Sequence, residues 1–485
     1  MQKLTKQIIN CFLWNLRERN VEVRSVYLYQ DGEVLLMQTY SPFQKDGLHP
    51  VYSISKSFLA AAIGWLIEEG KIRLEDTWIS YFPEYADSVQ DEQFNAVTIR
   101  DLLTMSLGQE REAPVTGDDD WVQRIIEEPI VKKPGSEFFY NSQASYLLGV
   151  LVERASEKKY MQYLEEKIFA PLGITEYQCE TDKKGNPIAG LCLHLKTEDI
   201  GKFGVALLEN GNYQGKTVIP EWWVKEVGKK QLDNADVIPP EKIEDCQGYG
   251  YHFWLCSQGG YRCSGLYGQL CYIWPEQKVV LACNSATTGN GAILACFYDA
   301  LKEAGSEETI LEKKQAVEFS DFRILPVQSI VAAGDSAAGK VGNYLCGTYE
   351  AQENIHGVDR LTISTETSEH MSKSIYHVEI VRNGKIYEFR AADGEWLKQE
   401  DHFATFTPHL YHGAMDPAYH EAFRSPALYG SYGVIGEEMT VRLQAHNFSG
   451  SPWFCFHKKE DGILYMHYRI DAYLTNEPEI EVIFH

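Results

Sequence analysis

The 485-residue chain carries 69 acidic and 45 basic side chains, a formal net charge of −24, and 44% of its residues are hydrophobic. That composition excludes a disordered chain, and the charge argues against nucleic-acid or anionic-lipid partners, which need clustered Lys and Arg. Eleven cysteines, odd in number and never spaced C-x-x-C, argue against a disulfide framework or zinc ribbon and read as reduced thiols.

In chain order, Ile8, Ile9, Phe12, Leu13 and Leu16 recur at helical spacing before Arg17-Glu18-Arg19 interrupts them, so no signal-peptide core is expected. No run approaches 18 apolar residues, and no membrane span is expected either. With reduced thiols, this predicts a cytoplasmic protein. Val26-Tyr27-Leu28-Tyr29 and Val34-Leu35-Leu36-Met37 flank Asp31-Gly32, a hairpin signal. Helical patterns follow at Phe58–Glu69 (closed by Gly70), Ile99–Leu103, Ser145–Ala155, Met161–Phe169 and Thr197–Leu208. Tyr251–Cys256, Leu270–Trp274 and Val279–Cys283 read as strands, and Gly291–Glu303 as a closing helix. Strands at both ends with helices between predict an α+β fold, an antiparallel sheet assembled from both ends of the domain.

The small, polar run Ala332–Gly339 reads as a linker, placed at 321–342. Turn signals at Asn383-Gly384 and Asp461-Gly462, between alternating runs such as Tyr376–Val381 and Ile386–Phe389, predict an all-β barrel or sandwich over 343–485. The expected division is thus 1–320, linker, 343–485. Eleven of the fourteen histidines lie in the last part, among them His409, His412 and His420, without ligand spacing to Asp, Glu or Cys, so no metal is expected.

No G-x-S-x-G, H-E-x-x-H, P-loop or complete G-x-G-x-x-G occurs. What remains is Ser53-Ile54-Ser55-Lys56 before an apolar helix. Residues three apart share a helix face, and a helix N-terminus favours a developing oxyanion while lowering the pKa of a nearby lysine. Ser53 and Lys56 thus form a nucleophile beside its base, or Ser53 is only a helix cap. The pattern recurs at Ser156-Lys159, in the charged tail of a helix, where solvated surface is expected.

Around Ser53 stand Gly70-Lys71-Ile72-Arg73-Leu74-Glu75-Asp76, Thr98–Thr104, Pro134-Gly135, Tyr140-Asn141-Ser142, Tyr146-Leu147-Leu148-Gly149 and Pro171-Leu172-Gly173. This ordered set, over roughly residues 20–305, resembles the β-lactamase-related serine hydrolases: class C β-lactamases, DD-peptidases, esterases and D-aminopeptidases. The resemblance implies a β-lactamase/transpeptidase-like fold, with the antiparallel sheet flanked by helices and a helical subdomain. It implies Ser53 as the acylated nucleophile, Lys56 as its base and Tyr140 as a proton relay, with no cofactor. A third motif falls at Cys263-Ser264-Gly265, followed by Leu266, and the Ser53 and Leu266 amides would form the oxyanion hole.

Two departures stand out. Ser142 replaces the usual Asn of Y-x-N, while Asn141 would point elsewhere, and Cys263 replaces the usual Lys or His. The second removes the cation that engages a substrate carboxylate. The expected activity is cleavage of a small ester, amide or short peptide. The alternatives are D-aminopeptidase, DD-peptidase or β-lactamase activity, or a catalytically weakened binding protein; a homodimer is possible.

Overall fold

The structure, a computed structural model, describes residues 2–89, 91–115, 119–287, 289–303, 344–367, 374–400, 428–435, 438–445, 451–471 and 480–485. The linker at 321–342 and His409, His412 and His420 lie outside these. The chain divides into two compact units, one from residues 2–39 and 44–303, the other from Tyr40–Phe43 and the described residues beyond 343.

In the first unit α1 (Lys6–Glu18) leads into β1 (Val23–Gln30) and β2 (Glu33–Thr39), joined at Asp31-Gly32, both with positive φ. The sheet is completed from the far end by β3 (Trp254–Leu255), β4 (Tyr261–Gly265), β5 (Gln269–Trp274) and β6 (Val279–Ser285), in the order β2-β1-β6-β5-β4-β3, antiparallel throughout. First and last strands pair centrally, from Val23 opposite Ser285 to Gln30 opposite Val279. All eight residues of β1 are buried, as a strand covered on both faces requires.

Neighbouring residues of β5 show the two cover layers. Tyr272 faces α6 (Asn290–Glu303), where its ring meets Tyr298 at 6.0 Å, and α6 packs on α1 through Phe297 and Phe12. Cys271 faces α5 (Thr197–Leu208), whose Gly204 comes so close that an added Cβ would lie 2.6 Å from the Cys271 sulfur. Between sheet ends lie α2 (Ile54–Glu68), α3 (Ile99–Leu103) and α4 (Ser142–Ser156). Almost every residue of α2 is buried, because it is apolar all round and runs through the middle of the unit. Phe58 stacks on Phe203 of α5 at 4.0 Å, fixing α2 on the sheet's cover.

Two elements differ from expectation. Tyr251–Cys256 keeps only Trp254–Leu255 as strand, because Gly250 N–H reaches back to the Phe253 carbonyl and His252 takes a positive φ, closing a turn. Met161–Phe169 is an α-helix over Tyr160–Leu164 continued as a π-helix over Glu165–Phe169.

The second unit is one ten-stranded sheet: β7 (Gly347–Glu350), β8 (Val358–Thr367), β9 (Ser374–Arg382), β10 (Lys385–Asp393), β11 (Leu397–Gln399), β12 (Leu428–Ile435), β13 (Glu438–Ala445), β14 (Ser451–Lys458), β15 (Leu464–Asp471) and β16 (Ile480–Phe484). Strands follow one another except that β10 pairs parallel with β12, on which β11 also pairs. Glu350 and His485 exchange backbone hydrogen bonds at 3.2 and 3.0 Å, next to an Ala351–Phe484 bridge, so the first strand meets the last. The sheet is therefore a nearly closed barrel, not a sandwich. Its interior is filled by alternating residues such as Leu361, Val378, Phe389, Val441, Phe454 and Phe456. Among the described residues no helix is long and apolar enough to cross a membrane.

Candidate active site

The site begins where α2 does. Val51 N–H bonds the Leu193 carbonyl at 2.9 Å, and Tyr52 then takes φ 45°, an unfavourable left-handed turn for an aromatic residue, immediately before Ser53. Ser53 occupies the cap position of α2 but makes no side-chain cap bond. The other serines of Ser53-Ile54-Ser55-Lys56-Ser57 are engaged elsewhere: Ser55 Oγ accepts Leu193 N–H at 3.0 Å, and Ser57 donates to the His252 carbonyl at 2.9 Å. Ser53 Oγ instead lies 3.0 Å from Lys56 Nζ, one helical turn on.

Lys56 is only 1% exposed. Its Nζ has three oxygen neighbours: Gly190 O at 2.7 Å, Ser142 Oγ at 3.2 Å and Ser53 Oγ. A neutral amine has two hydrogens and one lone pair. Donating to Gly190 and Ser142 leaves the lone pair for the Ser53 hydroxyl. Burial lowers the Lys56 pKa to about 7 against the opposing pulls of Glu112 and Cys192, so the neutral form is abundant at neutral pH. A Cβ at Gly190 would crowd the start of α4 as well as the lysine, lying 3.0 Å from the Ser142 carbonyl oxygen, 3.2 Å from Ser145 Cβ and 3.3 Å from Nζ. Tyr140 covers Lys56, with Nζ 4.9 Å from its ring centroid, and stacks on Trp254.

Ser142 stands at the first turn of α4, and its hydroxyl reaches Lys56 in spite of being shorter than an asparagine. Asn141 does point elsewhere: its Oδ1 caps α4 at Gln143 N–H and its Nδ2 donates to Gln109. Glu112, on the loop after α3, accepts Ser142 N–H at 2.6 Å and also takes a hydrogen bond from the Ser142 side chain. Burial raises the Glu112 pKa, partly countered by Ser142 and Lys56.

The end of strand β4 forms the other wall. Gly265 abuts the entry to α2; a Cβ there would sit 2.4 Å from the Val51 carbonyl oxygen. Next to Leu266, Tyr267 takes φ 58° and its ring meets Tyr52 edge-on at 5.4 Å, so the neighbours of Ser53 and Leu266 pack on each other. Ser264 Oγ accepts Asn290 Nδ2–H at 2.8 Å. Cys263 is fully buried opposite Cys271, with its side chain toward the α5 layer.

The second S-x-x-K segment is different. Lys159 is 72% exposed and pairs with Glu153. Among the described residues no group of three or more His, Cys, Asp or Glu is placed to hold a metal ion. Sequence reasoning missed Glu112, Gly190 and Trp254. Glu112 sits in Glu110-Arg111-Glu112, which reads as a solvated loop, and nothing linear marks its burial beside Lys56.

A family model described as Beta-lactamase matches residues 15–293, more than half of the chain. The chain belongs to the beta-lactamase family. The matched span holds Ser53, Lys56, Tyr140 and Cys263–Leu266. Sequence relatives include Protein Rv1367c of Mycobacterium tuberculosis (strain ATCC 25618 / H37Rv), 29% identical over 160 residues, covering 28% of this chain and 40% of that protein. Protein flp of Staphylococcus aureus (strain MW2) is 24% identical over 213 residues, covering 38% of this chain and 42% of that protein. The alignments thus span well under half of either relative. Among solved structures, a putative beta-lactamase from Bacteroides dorei DSM 17855 is 20% identical with a TM-score of 0.51, over 61% of this chain and 97% of that one. A putative 6-aminohexanoate-dimer hydrolase from Bacillus anthracis is 22% identical with a TM-score of 0.50, over 61% and 82%. At that identity the likeness gives the fold: the first unit has the β-lactamase/transpeptidase-like architecture.

Proposed function

We propose that the chain is a serine hydrolase that forms an acyl-enzyme on Ser53 and cleaves small, uncharged esters, amides or short peptides. The observation that carries this is the 3.0 Å contact between Ser53 Oγ and the buried Nζ of Lys56, whose remaining valences are taken by Gly190 and Ser142. In the first step the Ser53 proton moves to Lys56 as Oγ attacks the carbonyl carbon. Negative charge then develops on the carbonyl oxygen, between the Ser53 and Leu266 amides. Packing of Tyr52 on Tyr267 supports that pairing, because it brings the neighbours of both residues together. Collapse expels the alcohol or amine, which takes the Tyr140 hydroxyl proton while Tyr140 regains one from Lys56, and water then releases the acid from Ser53. The preference for uncharged substrates is supported by Cys263, a buried thiol where relatives place a cation.

A fluorophosphonate is the test. Intact mass and peptide mapping should show one adduct on Ser53, absent in Ser53→Ala; an adduct elsewhere, or none, defeats the proposal.

A further inference from the structure

The loop bearing Glu112 is fastened to the start of α4 on both sides. Gln143 accepts Ala113 N–H at 2.7 Å and donates to the Ala113 carbonyl at 2.8 Å. Asn141 Nδ2 donates to Gln109 Oε1 at 3.0 Å, and Gln109 Nε2 donates to the Ile125 carbonyl at 2.8 Å. Between these clamps the Glu112 carboxylate takes both the backbone N–H and the hydroxyl of Ser142. Ser142 Oγ receives Lys56 Nζ at the same time. A continuous hydrogen-bonded line therefore runs from Ser53 Oγ through Lys56 Nζ and Ser142 Oγ to Glu112.

The groups that face Lys56 are Glu112, Cys192, His252 and the Tyr140 ring. Burial pushes the Cys192 thiol well up and the His252 imidazole well down, so both are neutral and poor proton stores. The Glu112 carboxyl, raised by its own burial, is the group suited to gain a proton.

We infer that Glu112 stores the nucleophile's proton, with Ser142 as the bridge from Lys56; the inference rests on the acyl-enzyme reading above. The Ser53 O–H bond breaks and an Nζ–H bond forms. Lys56 passes a proton to Ser142 Oγ while Ser142 passes its own to the Glu112 carboxylate. Lys56 and Ser142 end as they began, Glu112 becomes neutral, and its negative charge is now on the substrate oxyanion; on collapse the proton returns through Ser142 to Lys56 and on to the leaving group by way of Tyr140. This gives the departure at Ser142 a chemical meaning: a hydroxyl donates and accepts at once, whereas an asparagine amide holds Lys56 but does not relay. Glu112 is thus a positioning residue acting through Ser142.

The experiment is stopped-flow burst kinetics with p-nitrophenyl acetate across a pH series, with thermal melting of each variant and Ser53 labelling of the wild type. Glu112→Gln, Ser142→Ala and Ser142→Asn should each slow the burst by about 10–100-fold, up to the lower end of what direct acid–base assistance contributes, because Lys56 still accepts the proton. Glu112→Gln should also move the acid limb to lower pH, because the carboxylate raises the Lys56 pKa. The Glu112→Gln/Ser142→Ala double variant should be slower than the slower single by no more than about 2-fold, since the residues act in series. Ser142→Thr, which keeps a hydroxyl, should return within about 3-fold of wild type. Folded Glu112→Gln and Ser142→Asn variants with wild-type bursts and acid limbs would overturn the inference, as would slowing that Ser142→Thr does not rescue. Should Glu112→Gln fail to fold, Ser142→Asn and Ser142→Thr decide the matter. Absence of Ser53 labelling in the wild type defeats the acyl-enzyme reading itself, a distinct failure.

Discussion

Trp254 lies stacked on Tyr140, ring centroids 5.5 Å apart and planes 27° from parallel. Behind it the buried Arg262 guanidinium sits 5.6 Å from the Trp254 ring, anchored by the Glu244 carbonyl at 2.6 Å and by Asp245. Tyr140 is therefore braced from strands β3 and β4. Trp254→Ala should lower kcat by about 10-fold with little change in KM, since loss of orientation acts on the chemical step. Tyr140→Phe keeps the stack and removes the hydroxyl, and should cost about 100-fold in kcat. Steady-state hydrolysis of p-nitrophenyl acetate measures both; an unchanged kcat in Trp254→Ala would refute the bracing role.

Acidity should gate the enzyme through Lys56. Burial brings its pKa to about 7, and in the proposed acyl-enzyme mechanism the neutral form is the base. Activity should therefore be low in acid, rise as pH passes through about 7 and level off above it. A kcat/KM profile that stays flat down to about pH 5 would contradict this.

Gly265 has an extended backbone, φ −124°, so only space demands glycine there. In Gly265→Ala the added carbon would overlap the Val51 carbonyl oxygen, 2.4 Å away, two residues before Ser53. The end of β4 must move off the start of α2, destabilising the protein by about 1–3 kcal/mol. Because the Leu266 amide moves with it, fluorophosphonate labelling of Ser53 should slow by a larger factor than the melting shift alone explains.

Nitrocefin carries a carboxylate, and the buried Cys263 offers it no partner charge. Its hydrolysis should be slower than that of p-nitrophenyl acetate by about 100-fold or more in kcat/KM. Comparable rates in a spectrophotometric assay would show that charge at this strand does not set substrate choice.

Much of the fold was legible because its signals are local. Asp31-Gly32 fixes a hairpin, Thr197–Leu208 carries its own apolar face, and Asn383-Gly384 closes a turn with positive φ at both residues. Ser53 and Lys56 were legible for the same reason, being one helical turn apart. Glu112 and Trp254 were not, since their meaning comes from partners 30 residues away at Ser142 and 114 away at Tyr140. The turn at Gly250–Phe253 was hidden by apolar neighbours that read equally well as strand, and the choice of barrel over sandwich depended on Glu350 meeting His485.

The central pairing of β1 with β6 bears on biosynthesis. Residues 23–30 cannot find residues 279–285 until nearly the whole unit has left the ribosome. Until then the hairpin of β1 and β2 presents an apolar strand with an unpaired edge, open to adventitious pairing with other chains. Closing a loop of that length makes folding slow and late, so yield during expression should depend on chaperone supply and temperature more than on the stability of the finished protein.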